Sequence, residues 1–105
     1  WHEIGAASEP AFANSWVNYG GAEVTAAFRK MPEGVVFIKG LIKDGTLTVS
    51  AFTLPVGYRP VGTMHFGIDA NNAFGLLLVM SSGEVRPQVG STAFFQINCS
   101  FFAEA

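Results

Sequence analysis

The sequence has few charged residues and a single cysteine, and both shortages exclude classes of protein. There are six lysines and arginines and eight acidic residues. The charged fraction of 13% is half of the roughly 25% found in soluble domains. With a net charge of −2, the chain lacks the basic stripe that nucleic-acid binding requires. Its one cysteine, Cys99, excludes an internal disulfide and a multi-cysteine metal site.

Long apolar runs and catalytic motifs are also missing. The longest apolar run, residues 74–80, is far shorter than the roughly 20 residues of a membrane-spanning helix, so we expect no membrane insertion. No Gly-x-Ser-x-Gly elbow is present, and Cys99 falls within an apolar alternating run that is typical of core. The residues after Asp69 begin like a calcium loop but lack its glycine and its final glutamate. We therefore expect no enzyme activity, no metal and no cofactor.

The composition predicts one domain, residues 1–105, that associates with further copies of itself. Half of the residues are apolar and 13% are aromatic. A lone domain of this size exposes much of its surface and normally carries more charge. The low charge therefore predicts that part of the surface faces other subunits. Because the chain starts at Trp1 without a methionine, we expect it to be the C-terminal fragment of a longer protein.

Alternating apolar and polar residues predict strands along the whole chain and no helix. Residues 35–43 and 93–102 are the clearest runs. In the first, Val36, Ile38, Gly40 and Ile42 are expected to share one face, and in the second, Phe95, Ile97, Cys99 and Phe101 are expected to share one face. Around eight short strands predict an all-β, antiparallel fold, either a barrel or, as favoured here, a β-sandwich of jelly-roll type.

Turn residues predict how the strands connect. Asp44-Gly45 is a two-residue hairpin signal, so residues 46–54 are expected to return as the neighbouring strand of a meander. Asn71-Asn72 is expected to join strands 61–69 and 73–80. Pro87 cannot donate to a ladder, which places residues 84–89 at a sheet edge.

Polar residues at one strand end and two aromatic residues are the candidates for ligand binding. His65 and Asp69 share one face of a strand that ends in Asn71-Asn72, and their imidazole, carboxylate and amides suit sugar hydroxyls. A polar strand end without a ligand is the alternative. Aromatic faces also pack on sugar rings, although packing in the core or at an interface is the favoured role of Trp16. The candidates are His65, Asp69, Asn71, Asn72, Trp16 and Tyr19.

The segment from Thr53 to Pro60, Thr-Leu-Pro-Val-Gly-Tyr-Arg-Pro, has the most constrained backbone in the chain. Two prolines prevent a continuous strand, and Gly57 allows a positive φ between them. We expect Tyr58 to use its hydroxyl structurally and Arg59 to donate to loop carbonyls; a pair that faces a ligand is the alternative. The structural motif consists of Leu54, Pro55, Gly57, Tyr58, Arg59 and Pro60.

Together with residues 10–19 (Pro-Ala-Phe-x-Asn-Ser-Trp-Val-Asn-Tyr) and residues 28–40, this motif resembles a known family. The chain resembles, over nearly its whole length, the C-terminal head domain of phage tail-fibre and baseplate receptor-binding proteins, also found on collagen-like phage and prophage proteins. The resemblance implies a homotrimeric β-sandwich or jelly roll on the virion tail, made in the host cytoplasm and joined to the N-terminal part of the fibre. Its implied partner is a host cell-surface glycan.

The resemblance leaves the receptor site open, because the matching residues look like scaffold. Two alternatives to an adhesin, that is, to a head that attaches to host glycans, remain open. The domain is a structural cap that trimerises a fibre, or it is an accessory carbohydrate-binding module of a depolymerase or lysin.

Overall fold

The computed structural model of the chain describes residues 1–104, and these form an all-β fold without helix. The described strands are more numerous and shorter than the eight expected. They are β1 (His2–Glu3), β2 (Val17–Asn18), β3 (Ala27–Lys30), β4 (Val35–Lys39), β5 (Leu41–Lys43), β6 (Phe52–Thr53), β7 (Met64–Asp69), β8 (Phe74–Val79), β9 (Glu84–Val89), β10 (Phe95–Gln96) and β11 (Cys99–Phe102).

The strands form three antiparallel sheets, with the orders β1-β3-β4-β11, β10-β5-β2 and β6-β9-β8-β7. The first two sheets share two long runs of chain, because β4 leads into β5 and β10 leads into β11. Each run was predicted as a single strand and is interrupted once. At Gly40 a Cβ atom would lie 2.6 Å from the Cα of Ala26, so only glycine fits there. The Asn98 side chain accepts a hydrogen bond from the Gly40 N–H at 3.0 Å and holds the two breaks together.

One apolar core joins all three sheets. The residues predicted to share a face in 35–43 and in 93–102 are the inward ones: the apolar ones lie in or against this core, and Gly40 is buried. The third sheet contributes the facing side chains, so the sheets pack on one another through alternate residues. The largest fully buried side chains are Trp16, Phe28, Phe52, Phe95, Ile42, Leu54 and Leu77.

The Leu54–Pro60 motif makes the turn that the sequence predicts. The Tyr58 N–H donates to the Pro55 carbonyl at 3.1 Å, and Gly57 has a φ of +96°. This is the geometry of a type II turn, which needs a positive φ at its third residue. The Arg59 Nε donates to the Leu54 carbonyl at 2.8 Å, which confirms the predicted role of Arg59.

The hairpin predicted at Asp44-Gly45 is wrong. After β5 the chain leaves its sheet, residues 46–50 form no strand, and β6 pairs with β9 instead. The cause is Trp16, whose ring lies directly against Gly45 and whose Nε1 donates to the Thr46 carbonyl at 3.1 Å. Asp44 has the positive φ of a turn residue, but its N–H donates to the Thr92 carbonyl. The glycine is needed for contact with tryptophan rather than for a hairpin.

The edge position predicted for residues 84–89 is also wrong, because β9 lies between β6 and β8. The carbonyls of Val85 and Pro87 accept hydrogen bonds from Ala51 and Thr48, so Pro87 directs its nitrogen toward that same side. β6 is only two residues long and begins at Phe52, after the residues that lie opposite Pro87. The missing N–H of Pro87 therefore leaves no ladder bond unmade.

Replacing Gly45 by alanine tests the contact with Trp16. A Cβ atom at this position would lie 2.0 Å from the Trp16 Cδ2, and the buried ring has to move. We expect Gly45→Ala to lower the free energy of unfolding by about 3 kcal/mol in urea titrations. Gly62→Ala is the control, because a Cβ there meets no atom within 4 Å. Equal stability of the two variants would show that Trp16 does not depend on this glycine.

Candidate functional site

The polar strand end predicted from the sequence lies on the outer face of the third sheet. His65, Gly67 and Asp69 alternate with the inward residues of β7, and all three are exposed. They share a face, as predicted. However, His65 and Asp69 are four residues apart, which is about 13 Å along a strand, so within one chain they do not converge.

Asp69 instead belongs to a group at the tip of the β7–β8 hairpin. Asn71 and Asn72 form its two-residue turn with φ values of +58° and +63°, closed by a hydrogen bond from the Ala70 N–H to the Ala73 carbonyl at 2.9 Å. These values are those of a type I′ turn, the commonest hairpin turn. The turn sets the register, which puts Asp69 directly opposite Phe74. We call Asp69, Asn71, Asn72 and Phe74 the hairpin-tip cluster.

The side chains of the hairpin-tip cluster are free to contact a ligand. All four residues are exposed, and Phe74 keeps 70% of its surface accessible. Within residues 1–104 no side-chain hydrogen bond involves Asp69, Asn71 or Asn72. A flat apolar ring beside a carboxylate and two amides offers the mixture of stacking and hydrogen bonding that a sugar ring requires.

Phe74 was not among the residues predicted from the sequence. The signal was nevertheless present, because a two-residue turn at Asn71-Asn72 pairs Ala70 with Ala73 and therefore Asp69 with Phe74. Counting one further residue on each side of the turn identifies the aromatic partner of the carboxylate.

Trp16 is corrected from a candidate ligand residue to a core residue. It is only 1% exposed, its ring meets Phe95 edge-on at a centroid distance of 6.0 Å, and its Nε1–H is used by Thr46. A buried ring cannot present a face to a sugar, and packing is the role that the sequence favoured.

Tyr19 remains partly accessible, but it lies next to β2 in a different sheet from the hairpin tip. Its ring meets Phe94 edge-on at 5.6 Å, and the Nζ of Lys43 is 5.3 Å from its centroid. Tyr19 is therefore not brought together with Asp69, Asn71 and Asn72 by the fold.

A second exposed surface combines an aromatic ring with two cations on the outer side of β3 and β4. The Lys39 Nζ lies 4.3 Å and the Arg29 Cζ 5.4 Å from the centroid of the Trp1 ring. Neither cation forms an ion pair with a carboxylate of the described residues. We call Trp1, Arg29 and Lys39 the tryptophan–cation cluster.

Other kinds of site are not found in residues 1–104. This part of the chain encloses no pocket and contains no group of three His, Cys, Asp or Glu residues that could hold a metal ion. It also contains no helix long and apolar enough to cross a membrane. Cys99 packs against the core, and its burial raises the pKa of its thiol to about 12. Very little thiolate is therefore present near neutral pH, as expected of a core cysteine.

Comparison with known proteins adds no relative to this description. No family model, no curated protein and no solved structure matches the chain.

Proposed function

We propose that this domain is a non-catalytic adhesin head of a phage tail that attaches to saccharides on the host cell surface. The observation that carries the proposal is the hairpin-tip cluster, where Phe74 stands opposite Asp69 and beside two unpaired asparagines. The resemblance of residues 10–19, 28–40 and 53–60 to phage receptor-binding heads supports the same function.

The chemistry of the tip favours a sugar over a protein ligand. A carboxylate and two amides supply acceptors and donors at one end of a hairpin, and the phenyl ring offers an apolar platform for the C–H face of a pyranose. A single open site of this kind binds weakly. Several copies on one fibre raise the avidity by orders of magnitude without any new contact.

We further propose that the three antiparallel sheets form a β-sandwich of jelly-roll type and that the domain assembles as a homotrimer at the end of a longer fibre protein. The low charge and the number of exposed apolar side chains support self-association. These exposed residues include Val56, Val61 and Phe102, which have no apparent role within one copy. Contact between subunits would remove part of this apolar surface from water.

A structural trimerisation cap is the second candidate. It is favoured by the location of the family-like residues, since Arg59 and Tyr58 act inside the scaffold: Arg59 donates to the Leu54 carbonyl and Tyr58 packs edge-on against Phe28 at 5.1 Å. A cap would trimerise without binding any glycan. An accessory module of a depolymerase or lysin would bind glycans equally well, and the sequence preceding Trp1 in the full protein distinguishes it.

Removing the Phe74 ring tests the saccharide site. We expect the wild-type domain to bind a subset of bacterial surface glycans on an array, and Phe74→Ala to weaken that binding at least about tenfold because the stacking platform is lost. Val24→Ala is the control, since Val24 is 52% exposed and lies outside the third sheet, and light scattering checks that both variants keep the wild-type assembly. Val24→Ala should leave glycan binding unchanged.

Two results would contradict the adhesin proposal. An intact oligomer that binds no glycan and no host surface would favour the structural cap. Equal losses in Phe74→Ala and Val24→Ala, with the assembly intact, would mean that the hairpin tip is not the contact.

Light scattering tests the proposed assembly. A homotrimer has about three times the 11.2 kDa mass of one chain at micromolar concentration, or a multiple of that mass. A monomer under these conditions would remove the explanation offered for the low charge.

A further inference from the structure

The outer edge of β7 carries unpaired backbone groups. β7 is the last strand of its sheet and pairs only with β8. Ala70 and Ala73 form the hydrogen-bonded pair that closes the hairpin. Because hydrogen-bonded pairs alternate along an antiparallel ladder, the N–H and C=O groups of Ile68, Phe66 and Met64 are directed at β8. The N–H and C=O groups of His65, Gly67 and Asp69 therefore point away from the sheet. Gly67 has no side chain and is exposed, so its backbone itself is accessible.

This edge lacks the usual protection against pairing. Proteins guard edge strands by making them short or by placing lysine, proline or a bulge in them. The other sheet edges in residues 1–104 are strands of two to four residues, whereas β7 has six. β7 contains no lysine, arginine or proline, and its pairing with β8 is regular. β10 approaches β7 from the neighbouring sheet but does not pair with it.

We propose that β7 pairs antiparallel with β7 of a second copy of this chain, with Gly67 on the two-fold axis. In this register Gly67 lies opposite the partner's Gly67, and His65 lies opposite the partner's Asp69. All three outward residues then form hydrogen-bonded pairs, each of which exchanges two backbone bonds. The arrangement is self-complementary, as a two-fold interface has to be.

The side chains fit this register on both faces. On the outer face an imidazole stands opposite a carboxylate twice, and Gly67 leaves the axis free of steric conflict. On the inner face, Phe66 stands opposite the partner's Ile68, and both are only partly buried within one copy. The pairing thus covers apolar surface and matches polar groups at the same time.

Pairing also brings His65 and Asp69 together, which one chain cannot do. The partner's His65 adds an imidazole next to the hairpin-tip cluster, so that each tip is completed by the second copy. The strand pairing is independent of any ligand, and only this addition to a sugar site rests on the proposed function. If the domain is also trimeric, two-fold pairing joins two trimers into a dihedral hexamer.

Disulfide trapping tests the register. Across a two-fold axis at residue 67 the two Cα atoms lie about 5.5 Å apart, which suits a disulfide. A Cβ at Gly67 meets only the Phe74 ring edge at 3.4 Å, so Gly67→Cys should fold. We expect mild oxidation to convert most of it to a covalent dimer on a non-reducing gel. His65→Cys is the matched control, because two copies of residue 65 are about 13 Å apart in this register and should not cross-link.

A charge swap tests the same pairing without cysteine. His65→Asp sets two carboxylates opposite each other and should weaken self-association by sedimentation about tenfold, since the change acts at two symmetric positions. The double variant His65→Asp with Asp69→His restores the opposite pair and should recover the wild-type dissociation constant. Circular dichroism checks that each variant is folded.

The proposal is overturned if Gly67→Cys cross-links no more than His65→Cys, or if the swap does not restore association. A folded domain that remains monomeric or strictly trimeric, with no even-numbered species, overturns it as well. Failure of glycan binding with intact cross-linking would contradict the adhesin proposal alone.

Discussion

The register of the β7–β8 hairpin is the constraint on which the candidate binding surface depends. Asn71 and Asn72 both adopt a positive φ, and the two-residue turn permits one alignment of the strands that follow it. That alignment sets Phe74 beside Asp69 and turns the backbone of His65 and Gly67 toward the open edge. A shift by one residue would move every side chain of β7 to the other face and remove both features.

The scaffold and the candidate site are built by different parts of the chain. Trp16, buried against Gly45, directs the chain from one sheet toward the other, and Arg59 closes the crossing after β6 through the Leu54 carbonyl. The segments that resemble a phage head domain therefore act in packing. The hairpin tip carries small polar side chains and one exposed ring. Because these side chains are exposed, they can be substituted without disturbing that core. This separation would suit the proposed adhesin, whose fold can stay constant while its ligand varies.

Much of the fold was predictable from alternation, because period-two burial depends only on neighbouring residues. Ile38 and Phe101 lie on the faces that alternation groups together, both of which are buried, and the turn at residues 71–72 forms at the two asparagines. The Asp44-Gly45 hairpin failed because a contact between Gly45 and Trp16, distant in sequence, overrides local turn preference. The predicted edge position of Pro87 failed for a related reason, since the sequence does not show where β6 begins.

The site was half predictable for the same reasons. Asp69 and the two asparagines were found from their local pattern, whereas Phe74 required the hairpin register and Trp16 required knowledge of burial. His65 was grouped with Asp69 because residues of one strand face share a direction, but direction does not imply proximity. Within one chain they stay about 13 Å apart. In the proposed pairing along β7, each His65 instead lies opposite the partner's Asp69.

The most direct test of the proposed saccharide site is a map of the ligand contact on the folded domain. Titration of the isotopically labelled protein with a host surface saccharide, followed by amide chemical shifts, locates the contact residue by residue. We expect the largest changes in amide chemical shift on residues 69–74, at the tip of the β7–β8 hairpin. Changes centred instead on Trp1, Arg29 and Lys39, or no changes with any host saccharide, would contradict saccharide binding at the hairpin tip.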